Sequence, residues 1–111
     1  MLNTPVFIND GGILRKINLE DLLVLEVEDN YVRYITHSKE YCSKSTLENA
    51  LNSLPDGSFV RVNRACAVAL RHIEQMDRQH VTVGGQQLVL SRGYYKGIRE
   101  RICVLGEGKK L

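Results

Sequence analysis

Ile17-Asn18-Leu19-Glu20-Asp21-Leu22-Leu23-Val24-Leu25-Glu26-Val27-Glu28-Asp29-Asn30-Tyr31-Val32-Arg33-Tyr34-Ile35-Thr36 is the stretch that decides between a helical and a β-rich fold. Asn18 is a good helix cap, and Asp21 follows three positions later. A helix would have to continue through Leu22 to Glu28, where Leu25-Glu26-Val27-Glu28 instead alternates apolar with charged residues at the period of a strand. The reading is one helical turn, then a strand. Asp29-Asn30 has turn chemistry, and Tyr31 to Thr36 is aromatic and β-branched, so the chain returns as an antiparallel partner.

The same pattern extends in both directions. Upstream, Pro5-Val6-Phe7-Ile8 and Ile13-Leu14-Arg15-Lys16-Ile17 flank Asn9-Asp10-Gly11-Gly12, which reads as a hairpin. Downstream, His37-Ser38-Lys39 turns into Glu40-Tyr41-Cys42-Ser43 and completes a meander. Ser45-Thr46-Leu47-Glu48 reads as a capping box, and Leu47, Ala50, Leu51 and Leu54 form one apolar helical stripe, stopped by Pro55-Asp56-Gly57. Phe59-Val60-Arg61-Val62 alternates as a strand, and the small residues Ala65 to Ala69 suggest a short buried turn of helix. Ile73 to Asp77, His80 to Val83 and Gln86 to Leu90 read as successive antiparallel strands, the last two joined by Gly84-Gly85. Tyr95, Ile98, Ile102 and Leu105 mark a C-terminal helix whose stripe docks on a sheet, although its spacing also suits a dimer seam. The expected architecture is mostly β with short helices: antiparallel meanders, one amphipathic helix in the middle and one at the C-terminus.

The 111 residues make one domain, 1–111, with a core of about 13–102, a hairpin strand in 1–12 and a flexible tail at 106–111. Leu, Ile, Val and Phe supply 34 residues, enough to fold rather than stay disordered. No apolar run approaches a membrane span, and no secretory leader is visible. Cys42, Cys66 and Cys103 are odd in number and form no C-x-x-C pair, which argues against a disulfide framework and for a reducing, cytoplasmic setting. Charge is sorted along the chain: residues 1–56 carry five Lys/Arg and nine Asp/Glu, net −4, and residues 57–111 carry ten and four, net +6. Arginine dominates the second half, and its planar fork suits phosphates and guanine edges. Arginines gathered on one face by folding would make a polyanion the natural partner; scattered, they would only keep the surface solvated.

Catalytic and metal-binding patterns are lacking. His37, His72 and His80 have no metal-ligand spacing, so no metal and no cofactor are expected. Glu26 and Glu28 share a strand face, as an acid–base pair would, but alternation about Val27 is the ordinary mark of a half-solvated strand. Gly106-Glu107-Gly108-Lys109 lacks the spacing and the following helix of a phosphate loop. Ser43 and Ser91 have no nucleophile-elbow surroundings, and Cys66 lies in an apolar run that suits a structural thiol. An enzyme is not expected.

The order of motifs carries more. Ile17 to Glu26, Asp29-Asn30-Tyr31-Val32, the capped helix, Phe59-Val60-Arg61-Val62-Asn63-Arg64, Leu70-Arg71-His72-Ile73 and Leu88-Val89-Leu90-Ser91-Arg92-Gly93-Tyr94 together resemble the LytTR domains. These are the DNA-binding output modules of LytR/AlgR-type bacterial response regulators, and the likeness spans about Ile13 to Ile102. It implies an elongated β fold that reads duplex DNA through loops at one edge set into major grooves, on promoter DNA with repeated sites, in a transcriptional regulator or the output domain of a two-component system. It implies three contact loops: Asn30-Tyr31, Asn63-Arg64 and Ser91-Arg92. In them Arg64 reaches a base edge or phosphate, Arg92 forks onto guanine, Asn63 offers an amide to adenine, and Ser91 with the first amides of a helix beginning near Gly93 holds a phosphate.

Three positions depart from the family's usual residues: Asn63 stands in place of His, Ala65 in place of Ser and Ala69 in place of Asn. Structural roles compete with each assignment. Arg61 can pair with Glu74, Tyr31 can be core, and Asn30 can serve a turn that needs positive φ. Family members commonly carry a receiver domain, and the twelve residues before Ile13 are too few for one. The expectation is therefore a stand-alone module or an excised domain, with a homodimer on DNA, a regulatory protein or a separate receiver as further partners. A protein-interaction module, or a non-specific single-strand or RNA binder, is the alternative.

Overall fold

A computed structural model describes residues 4–55 and 57–110. Asp56 of the helix stop, residues 1–3 before the first hairpin and Leu111 of the tail lie outside the described residues. The strands are β1 (Val6–Asp10), β2 (Ile13–Ile17), β3 (Leu22–Glu28), β4 (Tyr31–Thr36), β5 (Glu40–Lys44), β6 (Phe59–Arg61), β7 (Cys66–Ala69), β8 (Ile73–Met76), β9 (His80–Val83) and β10 (Gln86–Val89). The helices are α1 (Leu47–Ser53) and α2 (Tyr95–Arg99), with 3-10 turns at Leu19–Asp21, Leu70–His72 and Arg92–Tyr94.

Three antiparallel sheets result: the hairpin β1-β2, a central sheet β5-β4-β3-β7-β6 and a meander β10-β9-β8. The molecule is elongated, 52 × 30 × 24 Å. The start of β3 and all of β7 are buried on both faces, and this is why Leu22 to Leu25 read as an unbroken apolar run. A bulge between Leu22 and Val24 sends Leu23 and Val24 to one face and leaves Leu22 and Leu25 on the other. The first face packs with Val60, Val68, Val81, Val83, Leu88 and Ile98 beneath the β8-β9-β10 meander and α2. The second packs with Ile8, Ile17, Leu47 and Ala50 beneath the N-terminal hairpin and α1.

The turn at Leu19–Asp21 is capped as its sequence suggests, the Asn18 Oδ1 accepting from the Glu20 amide at 3.2 Å. Helix α1 starts one residue later than the capping-box reading. Thr46 is the N-cap, its Oγ1 accepting from the Asn49 amide at 3.1 Å, while the Ser45 hydroxyl donates to the Thr46 carbonyl. With Thr46 as cap, the buried Leu47 opens the helix and the stripe points into the second core.

Two expectations fail here. Cys66 to Ala69 is a strand, not a turn of helix: β7 lies between β3 and β6, with Ala67 opposite Leu25 and Arg61. Its residues are small because both faces are covered, Cys66 and Val68 by one core and Ala67 by the other, so no alternation survives in the sequence. The C-terminal helix is also shorter than its stripe. It ends at Arg99, and Ile102 is 37 % and Leu105 89 % exposed, so the docking stripe does not continue past the helix. Only Ile98, with Tyr94 and Tyr95 beside it, reaches the core.

Gly84, first residue of the β9–β10 turn, has φ +58°, and a Cβ there would stand 2.9 Å from Leu23 Cδ1. Gly84→Ala therefore meets backbone strain and a displaced core side chain. Urea denaturation is expected to show a loss of about 1–2 kcal/mol; an unchanged midpoint would mean that the turn adopts another conformation at no cost.

Candidate nucleic-acid interface

The β3–β4 turn, the β6–β7 loop and the segment after β10 are sewn together by main-chain bonds. The Val27 amide donates to the Ala65 carbonyl and the Ser91 amide to the Val62 carbonyl, each at 2.8 Å. The Leu90 amide donates to the Gln79 carbonyl, also at 2.8 Å, which adds the β8–β9 turn to the row. All three sequence-predicted loops thus lie side by side along one edge of the molecule.

Within the first loop, Asp29, not Asn30, takes the positive φ, +56°. The turn therefore does not require asparagine at position 30, whose carbonyl accepts from the Ser45 amide. Tyr31 is 47 % exposed, so it is not core. Asn30 shares a groove with Asp29, Lys44, Glu48, Arg61 and Arg64.

In the second loop, Asn63 spends both ends of its amide on backbone. Its Oδ1 accepts from the Ala65 amide and its Nδ2 donates to the Val89 carbonyl, both at 2.8 Å. Arg61 does not pair with Glu74: its guanidinium donates to the Arg64 carbonyl, and Glu74 accepts from the Gly85 amide. Arg64 is exposed at the loop tip. Ala69 is the N-cap of the turn Leu70–His72 and provides no side-chain bond there.

In the third loop, Ser91 is the N-cap of the turn Arg92–Tyr94 without a capping bond, and Arg92 is exposed. Helix α2 begins at Tyr95 rather than near Gly93. Among the described residues, neither Arg64 nor Arg92 belongs to an ion pair. Both forks are free for an external acceptor.

Lys44 and Arg78 join this edge without having been singled out from the sequence, and Arg61 faces the same groove instead of pairing with Glu74. Arg78 sits in the Asp77–Gln79 turn, its guanidinium 4.6 Å from the Tyr95 ring centroid. The amides of Gln79 and His80 donate to Asp77 Oδ1 at 2.7 Å each, and these bonds hold the Asp77 carboxyl below the usual carboxylate range. Asp-x-x-His is a turn signature, but the pairing of Arg78 with Tyr95 spans 17 positions and leaves no local signal.

Glu26 accepts from Arg33 at 2.8 Å and from the Cys66 thiol at 3.5 Å, while Arg33 also holds Glu40. Burial, then the Glu26 charge, pushes the Cys66 thiol up to about 11. Cys42 and Cys103 are exposed. Alkylation of the folded protein at pH 8, followed by mass spectrometry, is expected to label those two, with Cys66 labelled only after unfolding; rapid native labelling of Cys66 would refute its burial. Among the described residues, no three His, Cys, Asp or Glu side chains are placed to hold a metal ion, and no helix is long and apolar enough to cross a membrane.

The domain is elongated and antiparallel, and Arg64 and Arg92 stand on neighbouring loops tied together by main-chain bonds. The sequence model of the LytTr DNA-binding domain matches residues 13–103, and the chain belongs to that family. The fold is that of a solved domain described as the LytTr DNA-binding domain of a methyl-accepting/DNA response regulator from Bacillus cereus. The two share 18 % identity at a TM-score of 0.73, covering 89 % of this chain and 96 % of that one. No curated protein matches the sequence.

Proposed function

We propose that the protein binds duplex DNA sequence-specifically, as a bacterial transcriptional regulator or the output domain of a response regulator, through three loops that carry Asn30 and Tyr31, Asn63 and Arg64, and Ser91 and Arg92. The observation that carries this reading is the row of three loops joined by main-chain bonds, on which Arg64 and Arg92 are exposed and form no ion pair among the described residues. Lys/Arg contacts to phosphates provide most of the affinity, and the two arginine forks provide discrimination. Arg78 and Lys44 extend the phosphate contacts on either side. The partner is promoter DNA with repeated sites, occupied by one copy or by a homodimer.

The test is fluorescence anisotropy with the DNA upstream of the chain's own gene against random duplex of equal length, at two salt concentrations. Tighter binding to the native region that survives the higher salt is expected. Equal, weak binding that vanishes with salt would overturn the proposal and turn the search toward a protein partner. Preference for single strands over duplex would favour stacking on the exposed Tyr31 instead.

A further inference from the structure

The Asn63 amide is oriented toward the protein, not away from it. It closes its own loop through the Ala65 amide and crosses to the end of β10 through the Val89 carbonyl, at 2.8 Å in both bonds. One residue back along the loop, the Ser91 amide donates to the Val62 carbonyl. A single hydrogen bond between two loops is a pivot, whereas two bonds from successive residues fix both distance and twist. Arg64 and Arg92 each lie one residue outside these ties, so the pair of bonds sets how far apart the two forks stand and how they are turned.

We propose that Asn63 is a positioning residue: it locks the Arg64 and Arg92 loops into one rigid unit and does not itself read a base. The inference rests on the DNA-binding function proposed above. Bidentate recognition of adenine needs an amide whose oxygen and nitrogen are both presented outward. Here the Oδ1 and one Nδ2 hydrogen are committed to Ala65 and Val89, and turning the amide to DNA would break both bonds, reopening the loop and releasing the cross-tie. The bonds are satisfied before DNA arrives, so the two arginines meet the groove already ordered and lose less freedom on binding.

The experiment is anisotropy competition with a set of duplexes, each carrying one base-pair substitution in the native site, using the whole chain as wild type, R64A, R92A, N63A and N63S. Serine keeps a short acceptor for the Ala65 amide but cannot reach Val89, so N63S separates the cross-tie from the turn and is the milder change to the fold. R64A is expected to flatten the preference at one set of positions and R92A at another. N63A and N63S should flatten both sets together, by roughly tenfold each, and create no new insensitive position. Loss of preference at a further base pair that neither arginine variant touches would make Asn63 a base reader and overturn the proposal. Unchanged profiles in both Asn63 variants would overturn it equally. A wild type without any site preference fails differently, since it removes the DNA-binding function on which the inference stands.

Discussion

Arg92→Ala is expected to weaken binding to the native site by about 1–3 kcal/mol and to narrow the gap between native and random duplex. The guanidinium stands exposed on the third loop, the Ser91 amide anchors that loop to Val62, and among the described residues no carboxylate competes for the fork. A fork held in this way forms two parallel hydrogen bonds to guanine O6 and N7, and a wrong base leaves them unmade. A residue that met only phosphate would instead lower affinity for all sequences alike and reduce the slope of log K against log salt. Anisotropy titrations of wild type and variant on both duplexes at two salt concentrations separate these patterns. An unchanged ratio of native to random affinity would remove Arg92 from base recognition.

Leu25→Ala is expected to cost about 2–5 kcal/mol of folding stability, a large share of the roughly 5–15 kcal/mol that typical domains possess. Leu25 is 0 % exposed and lies in the middle of β3, with Tyr34 beside it on β4 and Ala67 on β7. Truncation opens a cavity between the central sheet and the layer of α1 and the N-terminal hairpin, where Ala67 is too small to fill it. Chemical denaturation measures the loss; a change below about 1 kcal/mol would mean that the hairpin and α1 collapse onto the gap. Because Leu25 faces the core away from the β8–β10 meander, DNA affinity of the folded fraction should change far less than stability.

Local chemistry made much of this fold legible before any coordinates. Asn18 ahead of an apolar run, the Gly-Gly turns and the alternation after Gly57 each place an element where the structure has one. What misled was burial on two sides. Cys66 to Ala69 is small and apolar because two cores meet across it, and periodicity cannot tell such a strand from a buried turn of helix. The C-terminal stripe misled in the opposite way: Ile102 and Leu105 keep helical spacing after the helix has stopped at Arg99.

The candidate site divides along similar lines. Motif order alone located the three loops, which the fold then brings to one edge. The inward engagement of the Asn63 amide depends on Val89, 26 residues away, and Arg78 reaches the edge only through the β8–β9 turn, so neither could be read from neighbouring residues.

The N-terminal hairpin has a consequence of its own. β1 and β2 pair only with each other, and they meet the body of the protein through side chains such as Ile8 and Ile17 rather than through a shared ladder. Peeling the hairpin away breaks none of the central sheet's hydrogen bonds, so its amides can open to solvent in an excursion smaller than complete unfolding. The loops that carry Arg64 and Arg92 lean on the other core through Val62 and Leu90, whereas the β3–β4 turn is flanked by Val27 and Val32 of the hairpin's own core. The protein thus joins a flank held by side chains alone to two arginine loops seated on a separate core, so local opening at the one end need not unseat the other.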